Sequence, residues 1–377
     1  MFRTYGFLST YPPTQCGLAT FTAALLRHLI AAAPGSEGRV VRVLAEPDPD
    51  PDVAGGTPVV CRMAPGAIED AASSLNDCDV VVVQHEYGIY AGRDGDDVLG
   101  VLARLRVPVI VVLHTVLTAP TPGQRQVLDE VVGNADAVVT MSEAARQRLV
   151  AGYAVARPDG IVVIPHGALP AARPARRSPT DRPTILTWGL LGPGKGIEWA
   201  ISALGALRDL EPRYLVAGRT HPKVLAHEGE VYREKLRDHA TALGVADLVE
   251  FDPGYHEVDA LAELVDRADV VLLPYDSSEQ VTSGVLVEAL AARKPVVATE
   301  FPHAVELLAD GAGLLVPHRD QAAMTAALRR VLTEPGLAAG MSDRSARLAS
   351  ALGWSAVARR YRDLAEDLLT ARVAVTT

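Results

Sequence analysis

Twice along its length the chain alternates short apolar runs with amphipathic segments, and this alternation limits the fold more than any other feature. Strands that alternate with helices form parallel crossover connections, and such connections build doubly wound sheets. The pattern restarts after a stretch rich in Pro, Ala and Arg at residues 168–183, which has the composition of an interdomain linker. The sequence therefore predicts an α/β protein with two doubly wound domains.

The predicted elements follow from the period of the apolar residues. The predicted strands cover residues 5–9, 40–45, 59–63, 79–85, 108–114, 137–141, 161–165, 184–190, 214–217, 248–251, 270–274, 295–299 and 313–316. The predicted helices cover residues 19–33, 96–106, 122–132, 142–151, 196–209, 231–243, 258–266, 283–292, 321–333 and 355–370. We expect the ligand to bind in a cleft between the carboxyl ends of the strands of the two domains.

The domain boundaries are set by the linker. We expect a first domain at residues 1–170, a linker at 171–183, a second domain at 184–352 and a terminal helix within 353–377. That helix carries an apolar stripe, so it needs a surface to pack against.

Composition and charge exclude several classes of function. The 377 residues have a formal net charge of −10 and a pI near 5.5, and no basic stripe indicates a nucleic-acid surface. Three cysteines without a CxxC spacing favour neither a disulfide framework nor a zinc site.

No apolar run approaches the length of a membrane span, and the N-terminus lacks a signal-peptide pattern. We expect a cytoplasmic protein. Contact with a membrane is compatible with the sequence but not indicated, and the oligomeric state is left open.

One polar loop in the second half lies between a buried strand and the start of a helix. Residues 276–290 (DSSEQVTSGVLVEAL) place that helix start near Ser283, Gly284 and Val285. Its free N–H groups and the positive end of its dipole favour phosphate. Glu288 falls one turn later on the same face, where a carboxylate can accept hydrogen bonds from ligand hydroxyls. An ordinary βα turn with a solvent-facing Glu288 fits the same pattern.

A second loop carries a lysine between glycines. Residues 189–196 read GLLGPGKG, which lacks both the Ser or Thr of a P-loop and the spacing of a dinucleotide fingerprint. Lys195, between Gly194 and Gly196 at a helix start, is placed to meet a diphosphate as a point charge. Only four of the 36 Lys and Arg residues are lysines, so we interpret Lys195 as a functional cation.

Other candidate residues follow predicted strands, where ligands of open α/β sheets collect. Gly17 lies in the loop PPTQCGLAT, and His114 ends the run PVIVVLHT in a position parallel to His85. Arg219 could add a second positive charge, and the ring of Tyr255 could support a flat base. Each of these positions also fits a structural turn or a structural histidine.

Taken together, these motifs resemble the retaining glycosyltransferases of family 4, which have the GT-B architecture of two facing Rossmann-like domains. The lysine position of that family is similar to Lys195 in GLLGPGKGIEWAI, and its two glutamates, which are separated by seven residues, are similar to Gln280 and Glu288. The loop containing Gly17 and the segment VIPHG at 163–167 also match. The resemblance covers essentially the whole chain, and it implies that the C-terminal helix crosses back onto the first domain.

The chain departs from the family pattern at two points. Gln280 replaces the first glutamate, and an amide can bind a sugar hydroxyl but cannot act as a charged base. The arginine that often shares the diphosphate with the lysine is absent from residues 189–192. Arg219 or the helix N-terminus would then supply the missing charge.

The resemblance implies a hexosyltransferase that moves a hexose from a GDP-mannose or UDP-glucose type of donor to a hydroxyl of a carbohydrate or other acceptor. The nucleotide-diphosphate sugar would be a co-substrate, with no metal ion or other cofactor. The residues implied as catalytic are Lys195, Gln280, Glu288 and His114. The residues implied in nucleotide-sugar binding are Gly17, Gly194, Arg219, Tyr255, Ser283, Gly284 and Val285.

Two alternative functions are compatible with the same residues. A phosphorylase of the same fold would transfer the sugar to or from phosphate and would need no surface for a base. A non-catalytic sugar- or nucleotide-binding protein is compatible with Gln280. The sequence leaves the donor sugar, the base and the acceptor undetermined.

Overall fold

The computed structural model describes residues 3–44, 59–64, 66–170 and 182–376, with only the backbone described at 59–62 and 375–376. Most of the predicted linker at 171–183 lies outside the described residues. No helix among the described residues is both long and apolar enough to cross a membrane.

The first half of the chain alternates strands and helices, as its sequence predicts. The strands are β1 (Thr4–Ser9), β2 (Glu37–Val43), β3 (Val59–Met63), β4 (Val80–His85), β5 (Val109–Leu113), β6 (Ala137–Thr140) and β7 (Ile161–Val163). The helices are α1 (Gly17–Ala32), α2 (Ile68–Asn76), α3 (Asp97–Leu102), α4 (Pro122–Gly133) and α5 (Glu143–Gly152).

The second half repeats the alternation and ends in a long helix. Its strands are β8 (Thr184–Trp188), β9 (Arg213–Ala217), β10 (Val249–Asp252), β11 (Val270–Leu273), β12 (Val296–Thr299) and β13 (Gly313–Val316). Its helices are α6 (Ile197–Leu204), α7 (Pro222–Glu228), α8 (Val231–Ala242), α9 (Val258–Arg267), α10 (Gly284–Ala291), α11 (Pro302–Leu308), α12 (Gln321–Thr333), α13 (Leu337–Leu352) and α14 (Trp354–Thr376).

The chain divides into two compact units. The first unit comprises residues 1–167 together with 354–377, and the second comprises residues 168–353. The long helix α14 therefore belongs to the first unit, although it is the last element of the chain.

The first unit contains a parallel sheet of seven strands in the order β3-β2-β1-β4-β5-β6-β7. Helix α14 packs against α1 through its apolar stripe, of which Val357, Ala358 and Tyr361 are fully buried. Arg3, which precedes β1, fixes the far side of α14 by donating two hydrogen bonds to the Glu366 carboxylate, at 3.1 and 3.0 Å. This packing gives the predicted terminal helix its partner surface.

The second unit contains a parallel sheet of six strands in the order β10-β9-β8-β11-β12-β13. Side chains alternate between its two faces, so that Ile185 packs under α6, α8 and α12 while Leu186 packs under α9, α10 and α11. Because both faces are covered, the central strands β11 and β12 are almost entirely apolar and fully buried. The predicted doubly wound α/β architecture is confirmed.

Four helices were not predicted, and three of them are short. Helices α7 and α11 have seven residues each and begin at a proline, and α2 has nine. Helix α13 is longer, but Gly340 and its serines weaken its helical propensity. The predicted helix at 196–209 also ends early, because the chain continues from Gly205 as a 3₁₀ helix.

Candidate functional site

The polar loops of the second unit meet where the winding of its sheet reverses. Strands β8 and β11 are neighbours, but the chain leaves β8 towards β9 and leaves β11 towards β12. Ligands of open α/β sheets bind in the crevice that such a reversal opens at the carboxyl ends of the strands. The two loops selected from the sequence, after β8 and after β11, border this crevice.

Glycines allow the backbone of the loop after β8 to contact the backbone at the end of β11. Gly196 adopts a left-handed conformation with φ of +65°, and a Cβ atom there would lie 1.8 Å from the carbonyl oxygen of Pro274. The carbonyl of Gly194 accepts a hydrogen bond of 2.9 Å from the N–H of Asp276. The backbone of the loop therefore touches the backbone that follows β11, and only glycine fits position 196.

Lys195 lies on an aromatic surface within this arrangement. Its Nζ is 4.4 Å from the centroid of the Tyr275 ring, which is a cation–π contact. Among the described residues, no carboxylate forms an ion pair with Lys195. The charge of Lys195 helps to lower the pKa of His221, although burial and Lys223 come before it among the causes. Lys195 is thus half-buried, and its ammonium group contacts an aromatic ring and not a carboxylate.

The helix start after β11 has one fewer available N–H group than the sequence predicts. Ser283 caps α10 by accepting a hydrogen bond of 3.2 Å from the N–H of Leu286. The N–H of Ser283 itself donates to Nδ1 of the buried His303 at 2.8 Å, so it is not available to phosphate. No described residue accepts a hydrogen bond from the N–H of Gly284 or Val285.

The first turn of α10 lies next to the loop after β8. A Cβ atom built on Gly189 would meet Cγ2 of Val285 at 3.7 Å, which is ordinary van der Waals contact. Through Gly189, the loop that carries Lys195 therefore reaches the N-terminus of α10. The geometry brings together the two elements that the sequence analysis selected as candidates for binding phosphate.

Glu288 links α10 back to β8. Its carboxylate accepts a hydrogen bond of 3.2 Å from Nε1 of Trp188, the last residue of β8. Burial raises the pKa of Glu288 to about 7, and the Trp188 hydrogen bond opposes this shift. Near neutral pH the half-buried side chain therefore divides between its neutral and charged forms.

Gln280 is held by its own loop. Its amide Nε2 donates to the carbonyl of Thr282 at 2.7 Å, and its backbone carbonyl accepts from the N–H of His303 at 3.4 Å. The loop that includes Gln280 is therefore tied to the same histidine as the start of α10.

Arg219 and Tyr255 lie at the same carboxyl edge of the sheet, after β9 and β10. The exposed Arg219 reaches the lysine-bearing loop through its backbone, whose carbonyl accepts from the N–H of Leu191 at 2.8 Å. Gly218, with φ of +130°, allows the loops after β8 and β9 to touch, since a Cβ atom there would lie 2.0 Å from the carbonyl oxygen of Gly189. Tyr255 is half-buried after β10, the edge strand next to β9.

The first unit has a separate polar cluster at the carboxyl ends of β4 and β5. Nε2 of His114 lies 2.7 Å from the amide oxygen of Gln84, and the Phe21 ring packs edge-on against His114 and His166, at 5.0 Å from each. Burial lowers the pKa values of His114 to about 3 and of His85 and His166 to about 4. The three imidazoles are therefore neutral at pH 7.

Gly17 lies elsewhere in the first unit, as the first residue of α1. The preceding Cys16 caps this helix, since its Sγ accepts from the N–H of Ala19 at 3.4 Å. A Cβ atom on Gly17 would meet nothing within 4 Å. A close approach of protein backbone therefore does not explain this glycine.

Several side chains of the second-unit site were missed in the sequence. Trp188, Tyr275 and His303 hold Glu288, Lys195 and Ser283 respectively. The only signal that could have found the first two is their position at the end of an apolar strand. His303 gives no signal, because it lies on a short helix that was not predicted.

Fold and site together define a protein with two doubly wound units and, in the second, a crevice bordered by a lysine loop and a helix N-terminus. Residues 17–170 match the Glycosyltransferase Family 4 family, and residues 170–347 match the Glycosyl transferases group 1 family. The chain belongs to glycosyltransferase family 4, and its fold is GT-B.

Two curated relatives are D-inositol 3-phosphate glycosyltransferases. The chain is 29% identical to the protein of Streptomyces bingchenggensis over 285 residues, which is 69% of this chain and 62% of the relative. It is 31% identical to the protein of Kineococcus radiotolerans over 307 residues, which is 70% of this chain and 68% of the relative. The first alignment thus spans less than two thirds of its relative.

A solved structure supports the fold. The crystal structure of Anabaena Alr3699/HepE in complex with UDP-glucose superimposes with a TM-score of 0.72 and 18% sequence identity. The match covers 97% of this chain and 100% of the Anabaena chain.

Proposed function

We propose that the protein is a retaining hexosyltransferase that uses a nucleotide-diphosphate sugar and transfers its hexose to a hydroxyl acceptor. The observation that carries this proposal is Lys195, a cation without a carboxylate partner among the described residues, on a loop that touches the N-terminus of α10. The UDP-glucose bound to the Anabaena structure supports a nucleotide sugar as the donor.

The diphosphate is the group that Lys195 and α10 recognise in this proposal. The ammonium group supplies a full positive charge, and the N–H groups of Gly284 and Val285 supply hydrogen bonds at the positive end of the helix dipole. Gly194 keeps the approach to Lys195 open, since a Cβ atom there would meet nothing within 4 Å. Arg219 is a further cation at the same edge of the sheet.

The polar side chains around this centre bind the rest of the donor. Glu288 accepts hydrogen bonds from the ribose hydroxyls in its charged form, and Tyr255 supports the base. Gln280 holds the transferred hexose, and His114, in the first unit, is assigned a role in binding sugar hydroxyls. The neutral imidazole of His114 suits this role, because it can bind a hydroxyl without attracting the diphosphate.

The chemistry follows from where charge develops. Cleavage of the bond between the sugar and the diphosphate leaves an oxocarbenium-like hexose and a departing diphosphate with additional negative charge. Fixed positive charge on that diphosphate lowers the barrier, because it is already in place before the bond breaks. The acceptor oxygen then attacks on the face that the diphosphate leaves, so the configuration is retained, and its proton passes to the departing phosphate oxygen. This scheme uses no metal ion and no protein nucleophile.

The acceptor is a hydroxyl compound whose contacts lie in the first unit. Because the curated relatives act on D-inositol 3-phosphate by name, that cyclitol phosphate is the first acceptor to test. The neutral cluster around His114 is suited to hydroxyl groups.

A donor screen tests the proposal. The protein is incubated with UDP-, GDP- and ADP-hexoses, with and without inositol 3-phosphate, and nucleotide release is measured. We expect release from one donor class, and replacement of Lys195 by Ala should lower the rate by about 10²-fold or more.

The exposed Lys235 on α8 gives a matched control, and Lys235→Ala should retain the wild-type rate. Near-normal turnover by Lys195→Ala would refute the role of Lys195. Release that requires inorganic phosphate would instead identify a phosphorylase.

A further inference from the structure

The segment that leads from β12 into the first turn of α11 contributes two buried side chains next to the loops of the proposed donor site. Phe301 and His303 are 0% and 1% exposed, and neither belongs to the motifs that the sequence analysis selected. Each contacts a different element of the site. The segment therefore connects the lysine side of the site to the helix side.

His303 contacts the helix side through two hydrogen bonds. Its side-chain Nδ1 accepts a hydrogen bond of 2.8 Å from the backbone N–H of Ser283. The backbone N–H of His303 donates a hydrogen bond of 3.4 Å to the carbonyl of Gln280. Ser283 is only 3% exposed, so water cannot replace the imidazole as the acceptor. The hydrogen bond holds Ser283 in the extended conformation, with φ of −135° and ψ of 106°, from which α10 begins.

Phe301 contacts the lysine side through Tyr275. The two rings stack with their centroids 5.1 Å apart, and the Lys195 ammonium group lies 4.4 Å from the centroid of the same Tyr275 ring. Phe301 also caps α11, so the two residues are fixed by the same short helix. A displacement of this segment would move Lys195 and the start of α10 together.

We propose that His303 is a positioning residue for donor binding, which holds the cap of α10 so that the N–H groups of Gly284 and Val285 face the diphosphate. This inference rests on the proposed function. His303 does not touch the diphosphate in this scheme, because the residue is only 1% exposed. Its effect on the ligand passes through the backbone of residues 283–285.

Two substitutions separate the hydrogen bond from the volume of the side chain. Asn places an oxygen close to the position of Nδ1, whereas Leu has nearly the same shape as Asn but no acceptor. His303→Leu leaves the buried N–H of Ser283 without an acceptor. We therefore expect the dissociation constant of the His303→Leu protein for the nucleoside diphosphate to be about tenfold higher than that of the wild type. His303→Asn should restore most of the affinity.

The probes are UDP, GDP and ADP, each compared with its nucleoside, by titration calorimetry on the wild-type and variant proteins. Nucleosides lack the diphosphate, so their weaker binding should be the same in His303→Leu and His303→Asn. Thermal unfolding of each variant shows whether it is folded at the temperature of the titration. If His303→Leu does not fold, His303→Gln, whose amide lies one bond further out, takes its place.

The outcomes distinguish the two proposals. Loss of diphosphate affinity in His303→Leu, with rescue by His303→Asn and unchanged nucleoside binding, supports the positioning role. Equal diphosphate affinity in folded His303→Leu and His303→Asn overturns it, even if the two variants differ in stability. A wild-type protein that binds none of UDP, GDP and ADP overturns the proposed function itself.

Discussion

The raised pKa of Glu288 predicts that donor binding depends on pH and that one substitution removes this dependence. Burial raises the pKa of this carboxyl group to about 7, and ribose hydroxyls bind the charged form. The charged fraction is therefore about one tenth at pH 6 and about nine tenths at pH 8, so donor affinity should rise by about tenfold between them. Glu288→Gln cannot ionise, so its affinity should be constant over this range.

The assay is titration of the wild-type protein and Glu288→Gln with an intact nucleotide sugar at a series of pH values. The intact donor is used because its diphosphate is a diester that remains fully ionised over this range, unlike that of a free nucleoside diphosphate. Glu234→Gln, on the exposed surface of α8, is the matched control and should keep the wild-type profile. A flat profile in the wild-type protein, or the same slope in Glu288→Gln, would refute the role of Glu288 in binding ribose.

Three further predictions concern the loops around Lys195 and the charge on Glu288. Gly196→Ala should destabilise the protein by at least about 2 kcal/mol more than Gly194→Ala in chemical unfolding. Both positions have positive φ, but a Cβ atom at 196 meets the Pro274 carbonyl whereas one at 194 meets nothing within 4 Å. Equal losses of stability in the two variants would contradict this prediction. Tyr275→Leu removes the ring that contacts Lys195 and should weaken donor binding by about fivefold in titrations. Tyr275→Phe keeps the ring and should bind the donor as the wild type does. It removes only a buried hydroxyl group that has no partner among the described residues. Because the folded state raises the pKa of Glu288, the wild-type protein should lose stability as the pH rises from about 4.5 to about 7. Over that interval the free energy of unfolding of Glu288→Gln should rise by up to about 3 kcal/mol relative to that of the wild type. Parallel stability profiles of the two proteins would contradict the raised pKa.

The fold could be predicted from the sequence because its main signal is local. Apolar runs such as 80–83 (VVVV) and 270–273 (VVLL) are strands of fully buried residues, and their alternation with helical segments determines a parallel sheet. The errors are at short or weakly periodic helices. Helix α11 is stabilised by its packing under β12 and β13, which no local pattern reports.

The candidate site could be predicted only as far as its motifs. Lys195 and Ser283 stand at helix starts after apolar strands, and that arrangement is visible in the sequence. The supporting residues come from distant parts of the chain: Trp188 meets Glu288 across 100 positions, and Ser283 meets His303 across 20. These contacts depend on tertiary packing. They also explain why the N–H of Ser283, which the helix start alone would leave free, has a partner.

The central claim is that Lys195 and the N-terminus of α10 bind the same diphosphate. A crystal structure of the protein with its nucleotide sugar, or with the nucleoside diphosphate, measures this directly. We predict that oxygen atoms of one diphosphate lie about 3 Å from Lys195 Nζ and about 3 Å from the N–H nitrogen of Gly284 or Val285. A diphosphate that contacts only one of these groups, or that binds at another edge of the sheet, would contradict the account.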